Sequence, residues 1–67
     1  MNKIAKDLQG YPVRIGSLVV LAYKNKIASG RVKEINNELL GILITKVHDE
    51  DPPSDLIWVE SGNVYLQ

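Results

Sequence analysis

An all-β fold, built as a five-stranded and partly open barrel, is what this sequence predicts. Three observations carry the prediction. The apolar residues fall into short runs, Leu18–Tyr23, Ile27–Ile35, Leu39–Val47, Leu56–Glu60 and Val64–Leu66, which are strand-like in length and rich in β-branched and aromatic residues. Polar or glycine-bearing turns separate most of them. A glycine, Gly30, stands in the middle of the second run, KIASGRVKEI, where glycine commonly marks a sharp bend or a bulge.

The chain has 67 residues, room for a single domain. Ordering them costs on the order of 100 kcal/mol in chain entropy, so one core of this size barely offsets it. Disulfides cannot help, because there is no cysteine. With His48 as the sole imidazole and no thiolate, neither a zinc site nor any other cofactor is expected. What remains is an apolar fraction of 45% and the option of self-association. MNKIAKDLQG lacks the apolar stretch of a signal peptide. No run reaches the ~18 apolar residues of a membrane helix, so the expectation is a cytoplasmic protein that does not engage membrane.

In chain order, residues 3–9 are expected to form one helical turn, with Ile4 and Leu8 on the same side. Gly10, Tyr11 and Pro12 end it, which makes residues 1–12 an N-terminal segment and residues 13–67 the barrel. Val13 and Ile15 flank Arg14 in a short extended piece, and Gly16–Ser17 turns the chain. In the run LVVLAY, Val19, Leu21 and Tyr23 are assigned inward and Leu18, Val20 and Ala22 outward. Lys24, Asn25 and Lys26 form the next turn. In the strand that follows, Ala28, Gly30 and Val32 share the inner face, and Ser29, Arg31 and Lys33 the outer one. Ile35 regains the inside through a one-residue bulge near Lys33–Glu34. Asn36–Asn37 fits a two-residue primed hairpin turn. Leu40, Ile42 and Ile44 then fill the core, leaving Leu39 and Leu43 outside. Pro52 and Pro53 make DEDPPSD, residues 49–55, a loop. Ile57 and Val59 face in, so Trp58 and Leu56 face out, although a slip of one residue would bury Trp58 instead. Ser61, Gly62 and Asn63 turn the chain into the last strand.

The run DLQGYPVRIGSLVVLAYKNKIASGRVKEI resembles the start of Src-homology-3-like small barrels of the KOW and Tudor type. The matching residues are Gly16, Val19 and Leu21, followed by Gly30, Val32 and Ile35. The tail IWVESGNVYL is similar to the ending of such barrels, where a short turn precedes a brief last strand. Small bacteriophage proteins resemble the same arrangement, including the leading D-x-x-G-x-P-V-x-x-G. The resemblance implies a binding module without chemistry, acting in the host cytoplasm if the source is viral. Ser17 departs from the pattern, which often has aspartate there.

Formal charge sums to zero but is segregated. Residues 1–46 hold all eight basic residues and three acids, a net +5, whereas residues 47–67 hold five acids and no Lys or Arg, a net −5. Among candidate functional residues Trp58 stands first, since an exposed Trp on a strand is a common interface anchor. Tyr11, Tyr23 and Tyr65 are candidates for an aromatic platform around it. Leu18, Val20, Leu39, Leu43 and Trp58 make an outer apolar surface larger than a monomer usually leaves bare. Its expected occupant is a protein partner, a second copy in a two-fold dimer, or residues 1–9 folded back. Lys24, Lys26, Arg31 and Lys33 form a basic hairpin, the basis of an alternative nucleic-acid-binding reading. His48 beside Asp49 lacks a nucleophile at any known catalytic spacing, and no enzymatic activity is expected.

Overall fold

The computed structural model describes residues 4–67. Seven strands follow in order: β1 (Ile4–Lys6), β2 (Pro12–Arg14), β3 (Leu18–Tyr23), β4 (Lys26–Asn36), β5 (Leu39–Val47), β6 (Ile57–Glu60) and β7 (Val64–Leu66). A single 3₁₀ turn, Ser61–Asn63, links the last two. β1 and β2 pair with each other as an antiparallel hairpin. The other five strands form one antiparallel sheet in the order β6-β5-β4-β3-β7.

That order forces the sheet to curl. β6 and β7 are its two edges, yet only three residues join them. Laid flat, the outer strands of a five-stranded sheet would stand ~19 Å apart. A three-residue 3₁₀ turn advances only ~6 Å. The edges are therefore brought round toward each other, and the sheet is a half-barrel. The all-β, partly open barrel expected from the sequence is the fold observed. Among the described residues no helix is long and apolar enough to cross a membrane.

The inner face of the sheet makes the core. Val19, Val32, Leu40, Ile42 and Val64 are fully enclosed there. Ala5 and Val13 reach the same core from the β1–β2 hairpin. The alternation read from the sequence holds in β3, where Val19 and Leu21 are buried and Leu18 and Ala22 exposed. It holds in β5 for Leu40, Ile42 and Ile44. Leu40→Ala would empty a site with no solvent access, so a loss of about 2–5 kcal/mol is expected in urea unfolding.

Two bulges bend the long β4–β5 hairpin. Between Val32 and Glu34 the register skips Lys33, at the place the sequence indicated, and Ile35 returns to the inside at 3% exposure. A second shift, at Ser29/Gly30, leaves Thr45 of β5 unpaired in the ladder, and its hydroxyl donates to the Ser29 carbonyl at 3.2 Å. The β3–β4 turn consists of Lys24 and Asn25 at φ 50° and 64°, both left-handed as a type I′ turn requires. The β4–β5 turn lies one residue beyond the expected Asn36–Asn37. Asn36 pairs with Leu39, so Asn37 at φ 57° and Glu38 make the loop.

The N-terminal helical turn expected over residues 3–9 is not formed within the described residues 4–9. Residues 4–6 are strand, and Ala5 stands opposite Val13. A seven-residue helix lacks the length to repay its nucleation. Pairing with β2 gives the same backbone partners at once and sinks Ala5 into the core. A turn at residues 7–10 follows, with Gly10 at φ 86°. Nor do the described side chains of this segment fold over the outer face of the sheet: Ala5 and Val13 point into the core, and Leu8 stays 53% exposed; residues 1–3 and the Ile4 side chain lie outside the described residues.

Candidate functional site

The outer face of the sheet and its margins carry the exposed chemistry. β3 and β7 place Val20 opposite Tyr65, and β4 continues that row with Ser29. The next row runs Leu18, Arg31, Leu43 across β3, β4 and β5. A third sets Gly41 of β5 between Glu34 and Trp58. Leu18, Val20, Leu43, Tyr65 and Trp58 thus share one surface, with Arg31 among them and Leu39 at its margin. Leu18, Leu39, Trp58 and Tyr65 are exposed, and Val20 and Leu43 half-buried.

Trp58 faces outward at 50% exposure, while Ile57 and Val59 pack against the core. Gly41 decides how its ring lies. A Cβ at Gly41 would meet Trp58 Cη2 at 3.1 Å and Cζ2 at 3.2 Å. Without that carbon the indole lies across the strand. Gly41→Ala is expected to tilt the ring outward at a cost of about 0.5–1.5 kcal/mol, seen as a longer-wavelength indole emission. An unchanged spectrum would mean the ring does not rest there. The role of Gly41 escaped the sequence reading, although a glycine in LLGILI was its available sign.

Tyr23 belongs elsewhere. It sits on the inner face and packs at the margin of the core, with Lys24 Nζ 5.4 Å from its ring centroid. Tyr11 is exposed in the N-terminal hairpin. Of the aromatic residues expected to form a platform, only Tyr65 and Trp58 stand on this face, on the two opposite edge strands of the sheet.

The four cations of the β3–β4 hairpin do not converge. Lys24 lies in the turn and Lys26 just after it, whereas Arg31 and Lys33 lie five and seven residues further along β4 than Lys26, or ~16 and ~23 Å at strand rise. Lys26 Nζ is paired with Glu50 at 3.4 Å. Arg31 Nη1 donates to the Gly16 carbonyl at 2.9 Å. The acidic loop thus lies against the basic hairpin at one point, and part of the segregated charge cancels there. His48 Nε2 is 3.1 Å from Asp49 Oδ2, with both side chains 76% exposed. An open groove of about 580 Å³ lies nearby, lined by Val20, Ile27, Ser29, Lys46, His48 and Gln67 among others.

Asp7 was missed as an individual residue, although the D-x-x-G spacing to Gly10 was its signal. It is 4% exposed. Its Oδ1 accepts from the N–H groups of Tyr11 at 2.8 Å and Gln9 at 2.9 Å. Its Oδ2 accepts from Leu66 N–H at 2.8 Å. Burial pushes its carboxyl pKa up, but the backbone N–H groups of Leu66, Tyr11, Gln9 and Gly10 outweigh that and hold it below the usual carboxylate range. One side chain therefore joins the N-terminal hairpin to the last strand.

Compared with protein-family models, curated proteins and solved structures, the chain matches none.

Proposed function

We propose that this protein is a non-enzymatic binding module whose partner is another protein, engaged through the outer face of the sheet. The observation that carries the reading is Trp58, a large aromatic half exposed at one margin of a surface that also presents Leu18, Leu43, Val20 and Tyr65. Aromatic side chains of this kind dominate protein interfaces, because they bury much area at little entropic cost. Kinship with Src-homology-3-like barrels of KOW and Tudor type, as in small bacteriophage proteins, is part of the same proposal. So are a cytoplasmic setting and self-association through this face.

Capture experiments with the immobilised chain test it. Trp58→Ala is expected to weaken partner retention by at least about thirtyfold, the scale of an interface anchor. A Lys24→Ala, Lys26→Ala double variant is expected to leave it unchanged. The reverse pattern, with DNA or RNA bound and released steeply as salt rises, would replace this reading with a nucleic-acid-binding one. Sedimentation equilibrium of the wild type and Leu43→Asp measures the dimer directly.

A further inference from the structure

We propose that the free edge of β6 is a docking strand, and that its occupant is an extended segment of a partner bearing lysine or arginine. The proposal rests on the protein-binding reading above and names its mode: addition of a strand to the sheet.

The register of β6 shows which backbone groups are available. Ser61 N–H donates to the Glu38 carbonyl at 2.7 Å, one step beyond the Leu39–Glu60 pair. In an antiparallel ladder, bonded and non-bonded pairs alternate. Leu40–Val59 and Ile42–Ile57 are then the bonded pairs, and Leu39–Glu60 and Gly41–Trp58 the non-bonded ones. The N–H and C=O of Trp58 and the N–H of Glu60 consequently point away from β5, toward the outside of the sheet, while the Glu60 carbonyl caps the 3₁₀ turn. Among the described residues no further strand lies beside β6.

The opposite edge shows how this chain treats the same problem when it closes an edge itself. On β7, Leu66 N–H donates to Asp7 Oδ2 at 2.8 Å, and the Val64 carbonyl accepts from Leu8 N–H at 2.9 Å. Two residues of the N-terminal hairpin thus occupy the groups of β7 that correspond to those left open on β6. β6 carries neither lysine nor proline, two common guards of an exposed edge. An open groove of about 610 Å³ runs beside it, lined by Leu21, Ala22, Leu39, Trp58, Val59 and Glu60 among others. Backbone groups on one side and apolar side chains on the other are what an added strand needs.

Charge selects the occupant. Asp55 precedes β6, Glu60 ends it, and Glu38 adjoins Ser61; all three are exposed. Residues 47–67 contain no Lys or Arg. A second copy of β6 laid antiparallel would bring its own Asp55 and Glu60 against these carboxylates. A basic segment meets them with opposite charge instead.

Two substitutions at one position separate backbone from charge. Glu60 has φ −72°, which proline adopts without strain, and by the register its N–H serves no bond among the described residues. Glu60→Pro therefore removes an edge donor, whereas Glu60→Gln removes only the charge. The probe is a blocked octapeptide of alternating lysine and valine, added to the ¹⁵N-labelled full chain. Amide exchange and chemical shifts are then followed. Bound peptide is expected to slow exchange at Trp58 and Glu60 but not to alter Ile57 and Val59, which are already bonded. Glu60→Pro is expected to weaken binding by about tenfold or more. Glu60→Gln should weaken it severalfold and flatten its salt dependence, and a glutamate–valine peptide should not bind. Failure of the lysine peptide to bind, or binding that leaves the Trp58 and Glu60 amides unprotected, overturns the docking strand. Unimpaired binding to Glu60→Pro does so too. The outer-face reading is judged separately, by the response of partner capture to Trp58→Ala and Leu43→Asp.

Discussion

Gly30→Ala is expected to remove most of the stability of this domain. A Cβ at this position would stand 2.6 Å from the Leu43 carbonyl oxygen, 2.7 Å from Ile42 Cγ2 and 3.1 Å from Ile44 Cα. Two of these are backbone atoms of the neighbouring strand, which cannot swing aside as the end of a side chain can. Gly30 lies next to one of the two register shifts that bend the β4–β5 hairpin. The requirement is for space and not for an unusual φ. Either the strands separate at the bend or the core loses contact around Ile42 and Ile44. Overpacking of a core costs roughly 1–3 kcal/mol, and an obstacle made of backbone belongs at or above the top of that range. A domain of this size holds ~3–10 kcal/mol in all. Urea denaturation followed by circular dichroism is the measurement. The expected result is a variant largely unfolded, or with its midpoint far below the wild type. Ser29→Ala, half-buried on the opposite face, is expected to stay within about 0.5 kcal/mol. A Gly30→Ala midpoint equal to that of the wild type would show that the bend does not depend on the missing Cβ.

Asp7→Asn is the second large effect expected, and it carries a pH signature. The folded carboxyl titrates below its ordinary value, because burial is outweighed by the N–H groups of Leu66, Tyr11, Gln9 and Gly10. A group with a depressed folded pKa stabilises the fold fully above its unfolded value, ~3.9. That contribution is lost as pH falls from there through the folded value. The wild type is therefore expected to lose stability on acidification below about pH 4. Asparagine presents an NH₂ where one oxygen accepted a hydrogen bond, so a backbone donor is left facing another donor. The variant should melt at a lower temperature at pH 7. The gap between the two proteins should then narrow as the pH approaches 2. The remaining carboxylates titrate in both proteins, so the difference isolates Asp7. Superimposable melting curves at pH 7 would rule out the pin between the N-terminal hairpin and β7.

What the sequence determined by itself is local and periodic. Side chains alternate across a strand, so Val19 and Leu21, or Leu40, Ile42 and Ile44, declare one face as core without knowledge of their partners. The break in that alternation at Lys33–Glu34 places the bulge, because Val32 and Ile35 can both be inside only if one residue is skipped. Gly30 is legible for the same reason, as a vacancy on an inward face.

Tertiary structure alone decided what depends on distant partners. Residues 4–6 became strand through their pairing with β2 and through an Asp7 carboxylate that meets an N–H 59 positions further along. A seven-residue window contains neither partner. Trp58 was ambiguous by one residue until β5 set the register and Gly41 opened room for its ring. Four cations near in sequence were separated because an extended strand moves the chain ~3.3 Å per residue in one direction. The two sheet edges, β7 capped by Asp7 and Leu8 and β6 without a neighbouring strand among the described residues, depend on strand order. That order is set by which hydrogen-bonding groups find partners across the whole chain, a condition that no single stretch of residues contains.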